Sequence, residues 1–162
     1  MADALVATRY AGADAATIAE RCGAPRVALY DELTSTLDVA HVMARAGAPP
    51  GTLILAERQS AGRGRNGRAW ASENGAGIWM TLLARYVDEA ALDVLSLRVG
   101  LTAARALEGF AGGQVQVKWP NDLMLDDGKL GGSLIESRWR EERVDCIAIG
   151  IGINCRVPVE IS

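Results

Sequence analysis

The most regular alternation in this 162-residue chain runs from 144 to 154, VDCIAIGIGIN. A period of two is that of a β-strand. It puts Ile147, Ile149, Ile151 and Ile153 on one face and Ala148, Gly150, Gly152 and Asn154 on the other. The isoleucine face belongs in a core. Glycine inside a strand weakens it by roughly 0.5–1 kcal/mol relative to alanine, so two on one face indicate something lying flat against it. A closely packed helix is one answer; a ligand floor is the better one.

The rest of the chain reads in the same terms. Residues 26–33, RVALYDEL, alternate as a strand. A helix follows, with Thr34 or Ser35 able to cap its start, Gly47 to end it, and Pro49-Pro50 forbidding continuation. Short apolar runs at 52–57 and 77–83 read as strands. Between 90 and 110 the spacing of Leu92, Leu95, Val99, Ala103, Ala106 and Phe110 predicts an amphipathic helix. Residues 114–119, QVQVKW, alternate with Val115, Val117 and Trp119 on one face and Lys118 on the other. Residues 123–139 predict a hairpin turning at Asp127-Gly128. Residues 1–25 are small and alanine-rich, a lead-in segment with a weak helical pattern from Ala15 to Arg21, and 26–162 form the domain proper. The fold class is α+β, with a mixed, largely antiparallel sheet and flanking helices.

Composition narrows the function. Nearly half the residues are apolar (49%), as in a soluble globular domain. The net charge of -3 speaks against a general nucleic-acid binder, though not against a local basic site. Cys22, Cys146 and Cys155 are three, widely spread and without a CxxC pair, so neither zinc nor a disulfide framework is indicated. A reducing cytoplasm is the simplest location. The N-terminus has no signal-peptide pattern, and no apolar run approaches the ~20 residues of a membrane helix.

The basic site is AGRGRNGRAW, 61–70, where Gly62, Gly64 and Gly67 satisfy GxGxxG. A dinucleotide fingerprint needs a helix after the third glycine, and RAWASENGAG has no helical period. A Walker loop fails as well. What remains is backbone N–H groups and guanidinium forks able to surround an anion, or else a solvated basic loop. KWPNDL (118–123) is a polar cluster at a strand end, or simply a turn. DGKLGG (127–132) sets Lys129 beside bare backbone. His41 lies within the first helix with nothing near it in sequence to suggest a metal.

No triad and no paired carboxylates are visible. The motifs share positive charge on glycine-rich backbone: Arg63, Arg65, Arg68, Lys118 and Lys129. A carboxylate attacking a nucleoside triphosphate needs such a site. It is already ionised, so no general base is required, and fixed cations offset its repulsion from the phosphates.

GRGRNGRAW, KWPNDL, DGKLGG and GIGIN, in this order after a strand-ST-helix unit, closely resemble the catalytic domain of biotin–protein ligases, from about Tyr30 to Asn154. The resemblance implies a fold related to class II aminoacyl-tRNA synthetases and lipoate ligases. It implies ATP-dependent formation of biotinyl-AMP, with Mg²⁺, and transfer of biotin to a lysine of a biotin carboxyl carrier protein. It implies biotin binding by Ser35, Thr36, Gln59, Gly62, Arg63, Gly64, Arg65, Lys129, Gly132 and Gly150. Arg68, Trp70, Lys118, Asn121, Asp122 and Asn154 would shape the nucleotide side, and Lys129, Arg65 and Lys118 would be catalytic. No metal ligands are implied from protein alone.

Leu37 stands where many members carry asparagine after the ST pair. The sequence stops at Ser162, without the remaining catalytic segment and small β-barrel that family members usually carry. About 30 residues precede the first motif, too few for a winged-helix domain, so no operator binding is expected. No membrane association is expected, and a homodimer is compatible with the sequence. Three competing readings remain: a lipoate-type ligase, a biotin-binding domain without catalysis, and a nucleic-acid module. The last predicts salt-dependent polynucleotide binding indifferent to biotin.

Overall fold

The computed structural model describes residues 4–85 and 91–156. Its main sheet has eight strands in the order β1-β4-β5-β6-β10-β9-β8-β7. These are β1 (Leu5–Val6), β4 (Val27–Leu33), β5 (Leu53–Gln59), β6 (Gly77–Ala84), β7 (Val115–Lys118), β8 (Asp122–Leu125), β9 (Gly128–Arg140) and β10 (Arg143–Asn154). Only β4 and β5 run parallel; every other pairing in the sheet is antiparallel. The segment expected as a lead-in supplies β1, the small hairpin of β2 (Arg9–Tyr10) and β3 (Ala13–Asp14), and α1 (Ala15–Cys22). Among the described residues no helix is long and apolar enough to cross a membrane.

Helix α2 (Thr36–Arg45) crosses from β4 to β5, as parallel neighbours require. Ser35 is its N-cap, while the other capping candidate, Thr34, donates its hydroxyl to Asp38 instead, at 3.0 Å. Leu37, Ala40, Met43 and Ala44 of α2 form one core with Ile54, Ala56, Leu83, Cys146 and Ala148. The antiparallel register carries a row of residues straight across this face: Lys118, Asp122, Gly132, Gly152, Trp79 and Ala56. Helix α3 (Leu92–Ala111) packs on the opposite face, where Gly100 meets Val117.

Two expectations need correction. In α3 the stripe that reaches the core is Ala103, Ala104, Leu107 and Ala111, while Ala106 is exposed and Phe110 is 88% exposed. The adjacent alanines turn the buried face away from the 3-4 rhythm read through Ala106 and Phe110. The β8–β9 turn centres on Asp126-Asp127, with Asp126 at φ 50°, and Gly128 already pairs with Leu125. Aspartate tolerates the left-handed region well enough to take the place expected of glycine.

Candidate functional site

Parallel β4 and β5 end side by side, Leu33 opposite Gln59. Ligands of such sheets gather at the carboxyl ends of the strands. Here those ends deliver Ser35 and Thr36, at the N-terminus of α2, and Gln59. Ser35 and Thr36 are 1% and 3% exposed. The Thr36 backbone N–H, one of the donors a helix start leaves unpaired, is taken by Gln59 Oε1 at 2.8 Å. The Thr36 hydroxyl donates to the same oxygen at 3.1 Å, and Gln59 Nε2 donates to Ser72 Oγ at 2.8 Å.

The basic stretch is a tight hairpin. Trp70 N–H donates to Gly62 C=O at 2.9 Å, Gly64 N–H to Arg68 C=O at 2.7 Å, and Arg63 bridges Ala69. Asn66 and Gly67 turn it, at φ 56° and 71°. An Asn-Gly pair is the strongest short hairpin signal, and it stands in the sequence inside the motif set aside as a failed dinucleotide loop. Gly62 does not face the cleft expected of it: a Cβ there would lie 2.5 Å from Trp70 C=O and 2.9 Å from Ser72 Oγ. It is the close-approach point that lets the hairpin sit on the sheet.

Hairpin, helix start and sheet enclose a cleft of about 320 Å³, within the range of small-molecule sites. Ser35, Thr36, Gln59, Arg63, Gly64, Arg65, Arg68, Trp70, Asn121, Asp122, Lys129, Gly132 and Gly150 all line it. Beyond Trp70 and Lys129 a second cleft opens, lined also by Glu73, Trp79, Asn154 and Arg156. Asn154 is therefore on the far side of Trp70 from the first cleft. Lys118 lines neither cleft; it stands exposed at the edge of the row, opposite Asp122.

The glycine face of β10 is closely approached at both glycines, by the helix weighed from the sequence at one and by an indole at the other. Gly150 lies under Leu37 of α2, whose side chain would be 3.2 Å from a Cβ. Gly152 lies under the Trp70 indole, 2.8 Å from a Cβ. Trp70 packs edge-on against Trp79, with centroids 6.3 Å apart, and carries Lys129 Nζ 5.1 Å from its ring centre.

Charges divide into paired and available. Lys129 Nζ pairs with Asp122 Oδ1 at 2.8 Å. Arg63 pairs with Asp38 of α2 at 2.7 Å and with Glu136 of β9 at 3.2 Å. Burial works against the Arg63 charge, but those carboxylates more than offset it and its pKa lies above the ordinary value. Glu136 also meets His41 Nε2 at 2.7 Å, which explains that histidine without a metal. Among the described residues Arg65 and Arg68 make no ion pair; Arg65 reaches only Asn121 Oδ1, at 3.5 Å. The cleft thus has a neutral hydrogen-bonding end and a cationic end, suited to a long acid with a polar head. None of Asp38, His41, Ser72, Thr81, Glu136 and Arg156 is read from the sequence as a site residue: Asp38 and His41 come up from α2, Thr81 and Glu136 through strand pairing, Ser72 on the return of the hairpin and Arg156 just past β10.

A family model described as the biotin/lipoate A/B protein ligase family matches residues 31–154. The bifunctional ligase/repressor BirA of Bacillus subtilis is 41% identical over 126 residues, 77% of this chain and 39% of that protein. The biotin–[acetyl-CoA-carboxylase] ligase of Paracoccus denitrificans is 38% identical over 104 residues, 62% of this chain and 43% of that protein. Among solved structures, the biotin protein ligase of Leishmania major in complex with biotinyl-5-AMP matches with a TM-score of 0.72 and 34% identity, over 82% of this chain and 58% of that one. This chain spans 39–43% of the length of those two curated relatives.

Proposed function

The chain belongs to the biotin/lipoate A/B protein ligase family, and on that premise we propose that it activates biotin with ATP and passes it to a lysine of a carboxylase carrier protein. The observation that carries this reading is the two-ended cleft. Its neutral end, Ser35, Thr36 and Gln59, suits the ureido ring; its cationic end, Arg65, Arg68 and Lys129, suits a carboxylate meeting a phosphate. The names of the relatives support biotin as the acid and a carboxylase as the acceptor.

In the first step a biotin carboxylate oxygen attacks the α-phosphorus of ATP. The Pα–O–Pβ bond breaks and pyrophosphate leaves. Lys129 and Arg65 offset the repulsion between carboxylate and phosphate, which in a partly water-free cleft is the largest obstacle. Lys129 also holds Asp122 at 2.8 Å, and its three N–H donors let it meet the acid without giving up that pair. Asp122 would be the carboxylate able to hold Mg²⁺, which takes one or two carboxylates and completes its shell from phosphates and water. Bound there with ATP, the ion would neutralise phosphate charge. Trp70 and the hairpin cover the mixed anhydride and limit its hydrolysis. In the second step the carrier lysine amine attacks the acyl carbon, AMP departs with the bonding pair, and the amine loses a proton. Two exposed free thiols, Cys22 and Cys155, suit a cytoplasmic location.

The test is biotin-dependent exchange of labelled pyrophosphate into ATP, with Mg²⁺ and with lipoate as the control acid. Exchange with biotin alone supports the reading, and Lys129→Ala should abolish it. Exchange with lipoate instead would refute biotin as the acid.

A further inference from the structure

The hydrogen bonds at the neutral end of the cleft have only one consistent direction. The Thr36 backbone N–H meets the Gln59 side chain at 2.8 Å, so the atom there must be the oxygen, which settles the orientation of the amide. That oxygen cannot donate, so the Thr36 hydroxyl spends its single proton on it, at 3.1 Å. Thr81, on β6 and fully buried, lies 2.8 Å from Thr36 Oγ1 and must therefore be the donor of that pair. On the other side Gln59 Nε2 donates to Ser72 Oγ at 2.8 Å, leaving the Ser72 proton for Trp70 C=O at 3.4 Å. A one-way chain runs from the sheet, through Thr36 and Gln59, to the hairpin that covers the cleft.

Building on the proposed biotin-ligase reading, we infer that Thr81 and Ser72 are positioning residues: they brace Thr36 and Gln59 at the two ends of a one-way chain in which Thr36, its proton held by Gln59, offers the ligand a lone pair and Ser35 is the hydroxyl left to donate. Thr36 Oγ1 has given away its proton and receives one from Thr81, so one lone pair is left for the ligand. Ser35 Oγ receives only a long contact from the Leu37 N–H, at 3.4 Å, and its proton is uncommitted. The pair asks for an N–H beside a carbonyl, which a cyclic urea supplies and a dithiolane ring does not. A buried polar group denied its partner discriminates strongly against the wrong ligand. Neither Thr81 nor Ser72 stands in any of the sequence motifs; each reaches the site through strand pairing or the hairpin's return.

Calorimetric titration with biotin decides it, on the wild-type chain and on Thr81→Val, Thr81→Ser and Ser72→Ala. Thr81→Val keeps the shape and removes the donor. It should weaken biotin about fivefold to tenfold and leave ATP binding unmoved. Thr81→Ser restores the donor and should recover to within about twofold of wild type. Ser72→Ala releases the Gln59 amide and should weaken biotin about threefold or more. On the wild-type chain, a biotin methylated at both ureido nitrogens should bind at least about tenfold more weakly than biotin. That arm stands even if Thr81→Val does not fold. An unmoved Thr81→Val, equal losses in Thr81→Val and Thr81→Ser, or full affinity for the methylated ligand overturns the inference alone. A wild-type chain that takes no biotin at all overturns the ligase reading beneath it.

Discussion

Arg63 ties the hairpin to two different elements, and the strength of that tie can be worked from its geometry. One nitrogen reaches Asp38 of α2 at 2.7 Å and the other reaches Glu136 of β9 at 3.2 Å. The three side chains are 29–44% exposed. Fully exposed pairs contribute about 0.2–1 kcal/mol and hydrogen bonds to charged groups about 1.5–3. A half-exposed geometry falls between, at about 1 kcal/mol per pair and about 2 together. Arg63→Met removes the tie without stranding a carboxylate, because Asp38 keeps the Thr34 hydroxyl and Glu136 keeps His41. Double-mutant cycles in urea, pairing Arg63→Met with Asp38→Asn and with Glu136→Gln, should each give a coupling near 1 kcal/mol. The couplings should shrink in molar salt. Hydrogen exchange gives the local readout. The Gly64 and Trp70 amides, bonded across the hairpin, should exchange about thirtyfold faster in Arg63→Met, since 1.4 kcal/mol is a factor of ten. Couplings below about 0.3 kcal/mol with unchanged exchange would refute the argument and leave Arg63 free for the ligand.

Other consequences are open to direct measurement. Gly62→Ala should cost about 1–3 kcal/mol in urea unfolding, because its Cβ meets a backbone oxygen, whereas Gly64→Ala, with nothing nearer than 3.5 Å, should stay within about 0.5; equal costs would contradict the geometry. Gly152→Ala should push the Trp70 indole off the sheet and weaken ATP binding more than it lowers stability, and unaltered ATP binding would deny Trp70 its part in the nucleotide side. The β9–β10 turn holds Glu141 and Glu142 at φ 47° and 64°, so Glu141→Asn with Glu142→Gly should raise unfolding stability by about 1–2 kcal/mol, and no gain would mean the turn is unstrained. Burial, then Glu57 and Cys155, push the Tyr10 phenol up to about 12. The fold therefore favours its protonated form, and that stabilisation is complete below the ordinary value of 10 and lost as pH rises through about 12. Tyr10→Phe should flatten alkaline unfolding across that window, and an unchanged profile would assign the loss to another group.

What the sequence made legible is what repeats locally or is spent on backbone. The two faces of β10, the Ser35-Thr36 entry into α2, and Lys129 beside bare backbone all follow from period and glycine placement, and the structure keeps each. The face of Lys118 followed too, but alternation says which side of a strand a residue takes and not how far along the sheet the cleft extends, and Lys118 lies past its edge. The hairpin at 62–70 was written in its Asn66-Gly67 pair, yet a nine-residue stretch of arginine and glycine has no apolar alternation to announce strands. Its pairing is held from outside, by Arg63 on two carboxylates and by Gly62 against Ser72. Thr81 and Thr36 are 45 residues apart and meet only because β6 lies between β5 and β10. The same holds for Arg63 and Glu136, 73 residues apart. Such contacts carry no local signature, since a threonine in a strand and a glutamate in a strand look alike whether they face water or a partner. They are nonetheless what braces the cleft: the motifs supply most of the side chains that line it, and the sheet order brings up the partners that hold them in place.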